Sequence, residues 1–194
     1  IHMVLKWNIG LLLKLNLILR EETKMYIEEG QAVPAVTFKV RELGEWKQVT
    51  SYELFGHKRV VLFALPGAFT PTCSSKQLPG YEENYENFVD LGIDEVYCLS
   101  VNDTFVMNAW AEQQGITKVK MIPDGSGEFT DGMGMSVCKD NLCFGVRSWR
   151  YAAVIDNGVL VKLFDEPGQE DDHPEDPYGE SSPESVLEWL EKTA

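Results

Sequence analysis

The run Val60-Val61-Leu62-Phe63-Ala64-Leu65, cut off by Pro66-Gly67, constrains this chain more than any other stretch. Six apolar residues without alternation predict a strand covered on both faces, and so a central strand between two layers. Val96 to Val101 reads the same way. Shorter strands are expected at Val36 to Val40 and Trp46 to Val49, joined as a hairpin through Glu42-Leu43-Gly44-Glu45, and at Val119 to Ile122. Tyr151 to Ile155 and Val159 to Phe164 flank Asp156-Asn157-Gly158, the strongest short hairpin signal a sequence offers. Helices are predicted after Thr50 or Ser51, around Cys73, and through Tyr81, Tyr85, Phe88 and Val89. Two more run from Thr104 to Gln114 behind an Asn102-Asp103 cap, and after Ser182-Pro183. Strands and helices mixed in this order predict an α/β three-layer sandwich.

Charge narrows the class of function. The chain carries 17 Lys and Arg against 31 Asp and Glu, a net charge of −14. Ten of those fourteen charges fall from Asp165 onward, where eleven acidic residues face one basic. Such a surface repels phosphate backbones and anionic lipid, so no nucleic acid and no membrane is expected as a partner. The acidic, Pro-containing stretch 165–181 reads as a mobile surface loop. At the other end, His2-Met3 looks like a cloning scar and Met25 like a natural start. Residues 1–24 therefore read as a vector-derived or upstream leader, with a sticky arm packing on a neighbouring molecule as the alternative. The apolar stretch Ile9 to Leu19 is about half of the ~20 residues that a membrane span requires. Residues 25–194 are expected to form one domain.

Four cysteines, Cys73, Cys98, Cys138 and Cys143, are too few for a disulfide scaffold. Cys138 and Cys143 lack the further ligands of a zinc site. Asp124 to Glu128 begins like a calcium loop, but Met135 stands where the twelfth-position carboxylate is needed. A reducing, cytoplasmic setting with free thiols is the natural expectation. Cys98, inside a buried strand, reads as core, and so do Trp110, Trp149, Phe63, Phe69 and Phe144, as core or pocket wall.

Cys73 stands apart. It arrives at the first turn of a helix, directly after a buried strand and a Pro-Gly loop. Unpaired N–H groups at a helix start stabilise an anion, so a thiol there is expected to serve as an accessible, nucleophilic thiolate. Thr70, three residues earlier, can turn its hydroxyl toward the sulfur or toward a bound substrate. Pro66 and Pro71 stiffen the loop.

Pro66, Thr70 and Cys73 fill a PxxxTxxC pattern, and the string PGAFTPTCS resembles the active-site signature of peroxiredoxins, in particular their atypical fifth subfamily. Ser100 to Val106, Ile122-Pro123-Asp124-Gly125 and Arg147-Ser148-Trp149-Arg150-Tyr151 are similar to that subfamily too, so the resemblance extends from Val33 to Pro167. It implies a thioredoxin-like sandwich with a central mixed sheet, and thiol-dependent reduction of hydrogen peroxide and alkyl hydroperoxides. Carried over by position, Cys73 is the peroxidatic cysteine, Thr70 its hydroxyl partner, Pro66 the pocket wall and Arg150 the catalytic arginine, with Arg147 as the neighbour to weigh against it. No cysteine follows Cys143, so a one-cysteine mechanism is expected. An external reductant would then resolve it, glutathione with glutaredoxin or else thioredoxin. Cys138 and Cys143 remain open as internal resolvers. The resemblance calls for no metal, flavin or haem, and it suggests a homodimer, with some of Trp110, Trp149, Phe63, Phe69 and Phe144 facing a dimer contact near the active-site loop. A rival function on the same chemistry is a peroxide-sensing thiol switch that relays oxidation to a partner protein.

Overall fold

A computed structural model describes residues 26–193. The leader assigned to residues 1–24 lies outside the described residues. Five strands form the central sheet: β3 (Arg59–Leu65), β4 (Glu95–Ser100), β5 (Lys120–Pro123), β8 (Tyr151–Asp156) and β9 (Val159–Asp165), in the order β5-β4-β3-β8-β9. β3 runs parallel to β4 and antiparallel to β8, so the sheet is mixed, and its middle strand is the apolar run picked out from sequence. Two small hairpins stand apart, β1 (Thr37–Glu42) with β2 (Glu45–Thr50) and β6 (Ser136–Cys138) with β7 (Val146–Ser148).

Alternation along β3 divides the core. Val60, Leu62 and Ala64 face one layer with Phe38, Phe55 of helix α1 (Ser51–Phe55), and Phe129 and Met133 around α5 (Glu128–Gly132). Val61, Phe63 and Leu65 face the other, against α2 (Leu78–Glu83), α3 (Tyr85–Asp90), α4 (Thr104–Gln114) and α6 (Pro183–Thr193). On this second side Phe63 stacks on Tyr81 with ring centroids 4.0 Å apart, and Tyr81 stacks on Phe88. Contacts of this kind add about 0.5–1.5 kcal/mol each beyond the area they bury. Cys73 lies in the same layer. The three-layer thioredoxin-like sandwich expected from sequence is the fold observed.

Local chemistry explains the boundaries. Thr50 and Glu53 close a capping box on α1, and the Asp103 carboxylate accepts the N–H groups of Phe105 and Val106 to start α4. Gly115 ends α4 at φ 67°, where only glycine is free of strain. Asn157 and Gly158 both take positive φ, as a two-residue hairpin turn demands. The 73–83 helix departs from expectation. Its first part, Cys73–Gln77, is a π-helical turn in which the Leu78 N–H donates to the Cys73 carbonyl.

Segment 166–181 corrects the expectation of a mobile loop. Its outer face is exposed and acidic, but Glu166 is buried, and one of its carboxylate oxygens accepts the N–H groups of Gly179 and Ser181 and the Ser181 hydroxyl. Tyr81 Oη donates to the Ser181 carbonyl, and the Trp149 indole N–H donates to the Glu166 carbonyl at 2.7 Å. Farther along, Asp172 N–H donates to Cys138 O, and Asp171 accepts from the Cys138 N–H. Net acidity hid these anchors, because one buried carboxylate among many exposed ones leaves no mark on composition. Among the described residues no helix is long and apolar enough to cross a membrane. Replacing Glu166 with alanine strands three donors; unfolding in urea should show a loss on the order of 1–3 kcal/mol, and amide exchange should accelerate across 167–181.

Candidate active site

Strand register builds the site. The pairing of Ala64 with Tyr151 places Arg150, one residue before β8, beside the end of β3 where the Pro66-Gly67 loop departs. The pairing of Leu65 with Ser100 brings the end of β4 to the same edge. Carboxyl ends of parallel strands are the usual position for ligand sites in α/β sheets.

The loop is held open in a defined shape. Asn102 Oδ1 accepts the Ala68 N–H at 3.0 Å and the Ser100 hydroxyl at 2.7 Å. Phe69 takes φ 65°, a conformation that costs a side-chain-bearing residue about 1–2 kcal/mol, so the surrounding contacts must impose it. Its ring projects outward and is half exposed. Phe144 is exposed as well, so these two aromatics are surface residues and not the core or pocket wall expected from sequence. Trp110, Trp149 and Phe63 are buried, as expected. The Trp110 indole N–H donates to Ser74 Oγ at 3.0 Å and ties the helix start to α4.

Cys73 and Arg150 meet. Arg150 Nη1 donates to Cys73 Sγ at 3.4 Å, with both side chains buried. The same nitrogen donates to Gln77 Oε1. Gln77 is itself fully buried and, one π turn beyond Cys73, reaches the Ala64 carbonyl with its amide nitrogen. Arg150 Nε donates to the Pro177 carbonyl at 3.0 Å, Nη2 donates to the Asp176 carboxylate, and Tyr178 stacks 5.8 Å from the guanidinium carbon. Burial works against the Arg150 charge, but the sulfur and the Asp176 carboxylate more than offset it and raise its pKa.

Of the residues named from sequence, the structure brings Cys73 and Arg150 into contact; Gln77, Asp176 and Pro177, which also bind Arg150, were not named. The fourfold spacing from Cys73 to Gln77 was the one signal available for the glutamine. Thr70 is in the loop, half-buried, but its hydroxyl donates to the Gly67 carbonyl at 2.8 Å and not to the sulfur. Pro66 is buried at the end of β3. Arg147 turns elsewhere, to the carbonyls of Val101 and Phe144. Cys73 is fully enclosed, where an accessible thiol was expected, because the π turn rolls it into the layer that holds Leu78 and Tyr81.

The other thiols differ in setting. Cys98 is buried on β4, and burial first, with Cys73 adding, pushes its pKa well up, which keeps it a neutral thiol. Cys138 is half-buried, and a hydrogen bond with Asp140 raises its pKa. Cys143 is exposed at the turn between β6 and β7. Among the described residues no cluster of three or more His, Cys, Asp or Glu side chains is placed to hold a metal. A groove of about 490 Å³, lined by Phe38, Leu54 and Tyr97, contains neither Cys73 nor Arg150 and is separate from this chemistry.

Comparison with known proteins agrees with the geometry. Residues 28–179 match the family described as Redoxin. A peroxiredoxin of Rhizobium etli is 56% identical over 171 residues, covering 84% of this chain and 96% of that protein. The crystal structure of the Plasmodium falciparum antioxidant protein, titled a 1-Cys peroxiredoxin, superposes with a TM-score of 0.83 at 38% identity, over 86% of this chain and 99% of the other. Reduced Prx3 from Vibrio vulnificus in complex with hydrogen peroxide gives 0.78, also at 38% identity, over 84% and 99%. With a family match over most of its length, more than half of the aligned residues identical to those of a relative covered almost end to end, and its backbone superposing on solved ones, the chain belongs to the redoxin family and, within it, to the peroxiredoxins, the thiol peroxidases.

Proposed function

We propose that Cys73 is the peroxidatic thiolate, that it reduces hydrogen peroxide and small alkyl hydroperoxides, and that an external thiol completes the cycle. The observation that carries this reading is the buried guanidinium of Arg150 held 3.4 Å from the Cys73 sulfur. A charged donor is stationed there at high desolvation cost, and the contact makes sense where negative charge must be stabilised.

In the reaction the Cys73 thiolate attacks one peroxide oxygen. The S–O bond forms as the O–O bond breaks, sulfur is oxidised to a sulfenic acid, and the departing oxygen takes a proton and leaves as water or an alcohol. Arg150 supplies the positive charge toward which the departing oxygen develops. Thr70 keeps its proton on the Gly67 carbonyl, so its oxygen acts as an acceptor and orients the peroxide O–H. Pro66 walls the pocket and offers no N–H to bind water. No prosthetic group enters this balance.

An incoming thiol then condenses with the sulfenic acid, expelling water and forming a mixed disulfide, and a second thiol releases Cys73. The one-cysteine reading is supported by the placement of the other thiols. Cys98 is sealed in the sheet as a neutral thiol, Cys138 is on β6 and Cys143 is exposed at the β6–β7 turn, and neither of these two hydrogen-bonds Cys73 among the described residues. Glutathione with glutaredoxin is the proposed reductant, thioredoxin the alternative. A cytoplasmic homodimer is the proposed working form, and the exposed Phe69 and Phe144 rings beside the loop suit a contact there.

Cys73→Ser should abolish peroxide consumption whichever reductant is supplied. Arg150→Ala should keep the far-ultraviolet spectrum and lose about 100- to 1,000-fold in the rate of Cys73 oxidation, measured by stopped-flow fluorescence. After treatment with one equivalent of peroxide, mass spectrometry should find dimedone-trapped sulfenic acid on Cys73 and an unmodified Cys98. A disulfide from Cys73 to Cys138 or Cys143 would overturn the one-cysteine mechanism.

A further inference from the structure

The guanidinium of Arg150 is almost wholly withdrawn from water, with 1% of its side-chain surface exposed. Four of its five N–H donors are engaged: Nε with Pro177 O, the two on Nη1 with Cys73 Sγ and Gln77 Oε1, and one on Nη2 with Asp176. That assignment leaves one N–H of Nη2 without a partner among the described residues. A planar fork has no rotation left once three of its nitrogens are bound, so the partners on Nε and Nη2 decide where the remaining donor points. Both partners come from one short stretch, Asp176-Pro177, in segment 166–181.

That stretch is anchored on each side. Glu166 holds Gly179 and Ser181, Tyr81 Oη holds the Ser181 carbonyl, and Lys139 Nζ reaches the carbonyl of His173 at 3.4 Å. The His173 ring packs edge-on against Trp149, next to Arg150 in sequence. Asp176 is also the one carboxylate among the described residues in ion-pair contact with Arg150. Once the Cys73 thiolate becomes a neutral sulfenic acid, Asp176 is the charge that remains against the buried cation. Its side chain is 48% exposed, so solvent screens its Coulomb contribution, and geometry is the larger part of what it supplies.

We propose that Asp176 is a positioning residue for peroxide reduction: with the Pro177 carbonyl it fixes the rotation of the Arg150 guanidinium, so that the free Nη2 donor faces the peroxide while Nη1 faces the sulfur. The proposal rests on the reading of Cys73 as nucleophile and Arg150 as its donor, and extends it to a segment that lies after the sheet in sequence.

The test compares two reactions of the same sulfur. Oxidation by hydrogen peroxide uses the guanidinium donors; alkylation by iodoacetamide needs the thiolate and a path to it, but no donor for a departing oxygen. Asp176→Ala should slow oxidation about 10- to 100-fold, as misplacement of a catalytic group does, and leave the alkylation rate within about twofold. Asp176→Asn, which keeps an acceptor oxygen, should recover most of the lost rate. Unchanged oxidation in Asp176→Ala overturns the proposal. So does a parallel change in both reactions, which would mean an altered thiolate, and so does faster alkylation, which would mean loosened packing. Failure of Asp176→Asn to recover the rate overturns the geometric role. Arg150→Lys and Cys73→Ser, run alongside, separate this from the parent reading: if either retains wild-type oxidation, the assignment of nucleophile and donor fails first.

Discussion

A guanidinium brought out of water next to a sulfur is the costly contact on which the rest of this structure turns. An isolated buried cation would be strongly unfavourable, and one whose donors are met by polar groups is tolerable. Arg150 is met from three directions: by Cys73 and Gln77 on the helical segment after β3, by the Pro177 carbonyl, and by the Asp176 carboxylate. Each of those groups is set by a different part of the fold. The antiparallel pairing of β3 with β8 brings the arginine to the edge, the π turn rolls the cysteine and glutamine inward, and the Glu166 anchor lays the acidic segment across the top. Catalytic geometry and stability are therefore coupled here, since loosening any one of the three leaves a buried charge short of partners.

Much of this was legible in the sequence because it depends on short-range rules. Six unbroken apolar residues can hardly be anything but a central strand, and Asp103, Gly115 and Asn157-Gly158 carry their boundary chemistry in their own side chains or backbone freedom. The meeting of Cys73 with Arg150 was legible only through the resemblance of the surrounding strings, since 77 residues separate them and no local rule joins them.

The parts that escaped share a physical reason. Residues 73–77 wind as a π turn with Cys73 in the same buried layer as Tyr81 and Leu65, contacts that a periodicity argument does not include. Gln77 looks like any polar residue on a helix until its side chain is found buried against the Ala64 carbonyl. Segment 166–181 has the composition of a solvated loop, and its order comes from a few groups, Glu166, Ser181, Asp176 and Pro177, whose neighbours carry the same residue types without the contacts. Phe69 and Phe144 differ in the opposite direction: both read first as core or pocket wall and both are exposed, as the alternative of a dimer contact near the loop allows.

The anchored acidic segment also fixes when the centre becomes whole. Its two contributors to the arginine, Asp176 and Pro177, follow both Cys73 and Arg150 in the chain, and the helix that closes the layer behind them, Pro183–Thr193, comes later still. Chains emerge from the ribosome with the amino-terminal parts first and fold as units, so the sheet and its thiol exist in the nascent polypeptide before the arginine has its full set of partners. Chemical competence thus waits on residues made about a hundred positions after the thiol, and a translation product interrupted between them would carry the sulfur without the machinery that directs it.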